Sequence, residues 1–247
     1  MILQLPPGSP PLLRAVAGAI LVLHIGAASL ALASGASSMV FRKGGRWHRL
    51  AGDLFVVSML IMSAIGAGAA PFLPTPQWSS TGAGLFTFYL VCTGWATARR
   101  GRNGVGGIEI VGAVAALAVA AGFAGLAWAG ARGPNGSLDV ASLIFGALAA
   151  FGSACDLKVI LRRGVTGAAR VARHLWRMTL AFFIAAASFF LGQPKVFPPG
   201  LRGSPILLAP EIIILGLMAF WLLRTWQAGR RAGGGQVQLH ETARGTA

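Results

Sequence analysis

Acidic side chains are scarce in this chain. Six Asp and Glu stand against 21 Lys and Arg, a formal charge of +15 over 247 residues. Charge of either sign is also thin: 11% of residues carry it, against about a quarter in a soluble domain, which excludes an ordinary water-soluble globule. Two cysteines cannot build a disulfide scaffold, and Cys92 and Cys155 read as small buried hydrophobes. There is no Cys-x-x-Cys, no His-Glu-x-x-His, no nucleotide loop, no nucleophile elbow and no kinase signature, so no metal is expected from motif spacing and no reaction is named by one. The glycine-rich stretch 101–107 follows no strand and reads as a turn.

What is present is hydrocarbon. Hydrophobic residues make up 55% of the chain, mean hydropathy is +0.69, and the 35 glycines lie inside apolar runs; a disordered chain is excluded. A helix needs about 20 mostly apolar residues to cross a bilayer. Seven runs qualify: Leu13–Val40, Leu50–Leu73, Gly82–Ala98, Ile108–Gly130, Val140–Leu161, Leu175–Gly192 and Ile206–Leu223. They are continuous instead of alternating, which argues against a barrel. The expected fold is therefore an all-α, polytopic bundle of seven spans. Residues 1–226 form a single transmembrane helical domain, and 227–247, rich in Gly, Arg, Gln and Thr, a disordered cytoplasmic tail.

Orientation follows from the basic residues. Seventeen of the 21 fall on one set of alternating connections and the C-terminal tail, leaving Arg14, Arg132, Lys195 and Arg202 on the other side. The N-terminus is expected outside and the C-terminus in the cytoplasm of a bacterial inner membrane. Trp47, Trp95, Trp176, Trp221 and Trp226 fall near inner ends, Trp78 and Trp128 near outer ends, as interfacial belts do. Ala31-Leu32-Ala33 has the form of a signal-peptide cleavage site. The apolar run continues past it, however, and cleavage would send Arg42–Arg49 outward, so the first helix is read as uncleaved. The basic clusters lie between spans, which points to anionic lipid at the cytoplasmic face and away from nucleic acid.

Arg42-Lys43-Gly44, Arg99-Arg100-Gly101 and Arg162-Arg163-Gly164 each end an inward-going helix. Basic residues with a glycine cap explain them better than duplicated hairpins do. Small residues at four-residue spacing, Gly66 with Ala70 and Gly125 with Ala129 beside Gly122, read as close helix packing.

Ionisable groups within spans are costly and are the first place to seek function. The candidate polar site comprises His24 midway along the first span, Asp53, Glu109 and Asp156 near cytoplasmic ends, and Glu211 in the outer third of the seventh. Arg49 and Asp53, four apart, read as a helical ion pair. Asp156 and Lys158 do not share a helix face, so the partner of Asp156 is expected from another segment. His48 and His174 lie at similar depth on separate helices, an arrangement that suits a haem held by two axial ligands, with Arg49 or Arg173 near its propionates.

The run from His24-Ile25-Gly26 through Arg42-Lys43-Gly44 and Trp47-His48-Arg49-Leu50-Ala51-Gly52-Asp53 to Met59, with Arg173-His174-Leu175-Trp176-Arg177-Met178 later, resembles a family of bacterial multi-pass membrane proteins classed only as a domain of unknown function. The resemblance is strongest over residues 20–62. It implies that His24, His48 and His174 occupy recurring family positions, and it implies no activity. Three functions are open at this stage: a haem-associated or redox membrane protein, a proton-linked small-molecule transporter using His24, Asp53, Asp156 and Glu211, and a non-catalytic component that binds a protein partner.

Overall fold

The computed structural model describes residues 8–99, 104–132 and 139–245, and among them it is all-helical. Seven helices follow one another: α1 (Pro11–Val40), α2 (Arg46–Ala69), α3 (Trp78–Arg99), α4 (Gly107–Arg132), α5 (Val140–Leu161), α6 (Gly167–Phe190) and α7 (Ala209–Gly245). Among the described residues, five are long and apolar enough to cross a membrane: α1, α2 with its 3₁₀ extension to Phe72, α4, α5, and α7 with the turn that starts at Pro205. Large apolar side chains such as Val22, Val111, Val140 and Ile212 face outward on these five, a surface that water would not tolerate.

The other two, α3 and α6, are more polar because they are inner helices. α3 packs against α2, α4 and α6 and touches α5; α6 packs against α3, α7 and α1. Their faces therefore meet protein, where hydroxyls and guanidinium groups find partners. Phe86, Leu90 and Val91 of α3 are fully buried, as are Met59 of α2 and Ala181 of α6. Gly35 brings α1 against the ring of Phe182, and Gly84 lets α3 approach the α2 backbone at Ser63. Buried hydroxyls are satisfied within their own helices, Ser34 on the Leu30 carbonyl and Ser63 on the Met59 carbonyl, each at 2.6 Å.

Helix ends follow local chemistry. Pro11 lies in the first turn of α1, where its missing N–H costs nothing. Asp139 caps α5, its carboxylate accepting from the Ser142 N–H at 3.2 Å and the Ser142 hydroxyl at 2.7 Å. Lys43 donates to the Ser38 and Met39 carbonyls at the end of α1, and Gly44 takes φ +77° there. Arg163 and Gly164 adopt positive φ beyond α5, which supports the capping account of those basic-glycine motifs. Arg100 and Gly101 lie outside the described residues, as do 101–103 of the glycine-rich turn.

Two expectations need correction. α6 begins at Gly167, eight residues before the expected Leu175, because the basic stretch continues the helix on a face turned towards α3. The glycines at 122 and 125 do not mediate close packing: a Cβ at either would meet nothing within 4 Å. α7 runs from Ala209 to Gly245, and Arg230 lies 4.7 Å over the Trp226 ring.

Candidate functional site

Two helix faces create the site. On α6, Arg170, Arg173 and Arg177 recur at helical spacing, and on α3 so do Tyr89, Thr93 and Thr97. Across the contact between these helices Arg173 donates to the Thr97 hydroxyl and Arg177 to the Thr93 hydroxyl. Arg170 donates at 2.8 Å to the Thr97 and Ala98 carbonyls, neutralising the C-terminal end of α3. Gly94 admits this approach, since a Cβ there would stand 3.2 Å from the Arg177 Cβ.

Asp156 of α5 is the hub. Its Oδ1 accepts from Arg173 at 2.5 Å and from Arg177 at 2.7 Å, and its Oδ2 accepts from the Tyr89 hydroxyl at 2.6 Å. Asp156 and Arg177 are wholly buried. Glu109 of α4 completes the cluster, with Oε1 3.9 Å from Arg173 and Oε2 accepting from the Gly106 N–H at 2.9 Å. The Arg177 guanidinium also lies 5.0 Å over the Tyr89 ring and 4.8 Å from that of Trp176. Four helices thus converge on two cations and two carboxylates. Buried charges persist only when paired this fully, yet the Nε of each buried arginine has no partner among the described residues.

A second constellation lies beside it. His174, on the same helix as the arginines, donates from Nδ1 to the Gly94 carbonyl at 3.0 Å. His48, at the start of α2, donates from Nδ1 to the Ser38 carbonyl at 2.9 Å. Both Nδ1 atoms therefore carry a proton and turn Nε2 to the opposite side of the ring.

The remaining candidates lie elsewhere. His24 faces α2, with its Cε1 3.5 Å from where a Gly66 Cβ would stand and its Nδ1 unpartnered among the described residues. It sits about 24 Å along α1 from the helix end near His48, at 1.5 Å per residue, so the three histidines do not converge. Asp53 does not pair with Arg49; it binds Arg99 of α3 at 2.6 Å in a half-exposed bridge. The inter-helix pair wins because α2 and α3 are packed neighbours. Glu211, in the first turn of α7, is buried, with neither oxygen partnered among the described residues. Arg173 is committed to Asp156 and Thr97, which removes it as a partner for a haem propionate.

Tyr89, Thr93, Thr97 and Arg177 are site residues that sequence reasoning missed. The four-residue spacing of the first three was the available signal. Compared with protein-family models, with curated proteins and with solved structures, the chain matches none.

Proposed function

We propose that this is a seven-span protein of a bacterial cytoplasmic membrane, N-terminus outside, with a redox centre at its inner side in which His48 and His174 hold a haem. The resemblance of its histidine-bearing segments to a bacterial membrane family is in keeping with that setting. The span count is supported by the burial of α3 and α6, whose polar faces are paired inside the bundle and so need no water. Orientation is supported by the exposed Arg42, Arg46, Arg49, Arg162 and Arg163, a rim suited to anionic lipid.

The observation that carries the redox reading is that His48 and His174, on separate helices, each have Nδ1–H anchored on a backbone carbonyl. A metal-ligating imidazole is normally prepared in this way, its second nitrogen donating to a carbonyl that fixes the tautomer and raises basicity. The donor set therefore fits an iron porphyrin, which when bound supplies one-electron chemistry. Around it the chain provides Arg49, exposed on the first turns of α2, to meet acidic side groups. The Asp156 cluster holds α3, α5 and α6 in register so that the His174 ring keeps its position. Absorption spectroscopy of protein purified from haem-replete cells tests this: a Soret band is expected, and His48→Ala with His174→Ala is expected to abolish it.

Glu211 favours a second reading, a proton-linked carrier, because a buried carboxylate with no partner is a natural proton site. In proteoliposomes, Glu211→Gln is then expected to abolish pH-gradient-driven uptake while leaving the fold intact. Gradient-dependent uptake that persists in the variant contradicts this reading.

A further inference from the structure

We infer that Lys43 and Arg224, at the inner ends of α1 and α7, form a binding site for the phosphodiester head of an anionic phospholipid. The inference rests on the reading of the basic rim as a lipid-facing one and narrows it to a single place. Trp221 of α7 organises that place. Lys43, in the turn after α1, lies 5.5 Å over its ring, and Arg224, one turn further along α7, lies 5.4 Å from it, both within cation–π range. Other tryptophans at this end of the bundle have one cation each: Trp47 has Arg46, Trp95 has Arg99 and Trp226 has Arg230. Among the described residues, Trp221 alone gathers two. Both cations are exposed, and both keep donors to spare. The Lys43 Nζ carries three N–H groups and gives two to the Ser38 and Met39 carbonyls, at 3.0 and 2.6 Å, which fixes its position and leaves the third free. The Arg224 guanidinium has no hydrogen bond or ion pair among the described residues.

What the pair lacks is an anion. Among the described residues the carboxylates are committed elsewhere or distant. Asp53 binds Arg99, Asp156 and Glu109 face the α6 arginines, and Asp139 caps the far end of α5. Glu211 precedes Arg224 by about 20 Å of helix at 1.5 Å per residue. Two like charges drawn to one ring repel each other, and an oxyanion accepting from both removes that repulsion. Depth selects the kind of anion. Tryptophan marks the bilayer interface, the level at which phospholipid phosphates lie. Just before each cation in the chain, and so deeper in the membrane, Val40 and Phe220 are exposed hydrocarbon. α1 and α7 both pack on α6 and scarcely on one another, so the cations bracket the inner end of a seam between two apolar helices. A soluble phosphate meets the donors alone; a phospholipid meets the donors and the apolar surface below them.

Native mass spectrometry of the detergent-solubilised full chain tests it with phosphatidylglycerol, phosphatidylcholine and inorganic phosphate. Each cation adds about fivefold in affinity for an anionic head, so phosphatidylglycerol is expected to bind at least about tenfold more tightly than phosphatidylcholine. Arg224→Gln is expected to weaken phosphatidylglycerol about fivefold without lowering the melting temperature, because it breaks no hydrogen bond. Lys43→Gln with Arg224→Gln is expected to bring the two lipids within about twofold of each other. Arg162→Gln with Arg163→Gln removes the same charge from exposed positions beyond α5 and is expected to keep the preference. A preference lost equally in both double variants overturns the site while leaving the lipid-facing rim standing. Equal binding of the two lipids by wild type overturns the site and the rim reading together. Displacement of phosphatidylglycerol by inorganic phosphate identifies a soluble anion and overturns the lipid assignment.

Discussion

At the scale of single residues, the Asp156 carboxylate carries more of the structure than any other charged group. Three donors close on it at 2.5 to 2.7 Å, and removing it leaves the buried Arg177 without a carboxylate and Arg173 with Glu109 alone at 3.9 Å. Breaking a buried pair in this way costs about 3–5 kcal/mol, so Asp156→Ala is expected to lower the unfolding temperature in detergent sharply. Arg99→Ala removes only a half-exposed bridge to Asp53, worth about 0–1 kcal/mol, and is expected to melt within a few degrees of wild type. Gly152→Ala places a Cβ 2.9 Å from the Tyr89 hydroxyl and should displace it from Asp156, with a loss of about 1–3 kcal/mol for the orphaned groups. A Gly152→Ala protein as stable as wild type contradicts that contact. That Asp156 draws its partners from another segment was legible in sequence, because Lys158 cannot share its helix face. That Arg173 and Arg177 are those partners was not. A basic run before an apolar one reads as a solvated loop, and only the packing of α6 against α3 turns it inward.

At the scale of elements, the apolar runs were legible to within a few residues, and α5 was legible at both ends. Periodicity placed the start of α6 eight residues late, because a helix packed among others relaxes the demand for continuous hydrocarbon that a lipid-facing helix obeys. The N-cap of α5 gives an element-scale prediction. The Ser142 hydroxyl and N–H hold the Asp139 carboxyl below its ordinary value of 3.8. A carboxylate lowered on folding contributes stability that is complete above its unfolded value and is lost as pH falls through the folded one. Asp139→Ala should therefore cost about 1 kcal/mol at neutral pH and progressively less below about pH 4. Unfolding curves of the two proteins across that range check it, and a difference that does not shrink on acidification contradicts the cap.

At the scale of the whole molecule, five helices long and apolar enough to cross a membrane pack with two more polar ones, α3 and α6, whose facing surfaces hold the buried arginines and their hydroxyl partners. The basic asymmetry predicts that reporter fusions near residues 45 and 165 are cytoplasmic and those near 75 and 203 are outside. Inversion of this pattern contradicts the orientation and the depth given to His48 and His174. Function was the least legible feature, because ionisable residues in a span mark a site without specifying its reaction; separating His24 from the other two histidines needed the helix packing. The most direct test of the central claim is the visible absorption spectrum of the full chain purified from haem-replete cells. The account predicts a Soret band that disappears in the His48→Ala, His174→Ala double variant and persists in His24→Ala. A colourless wild-type protein, or a band indifferent to His48 and His174, contradicts it.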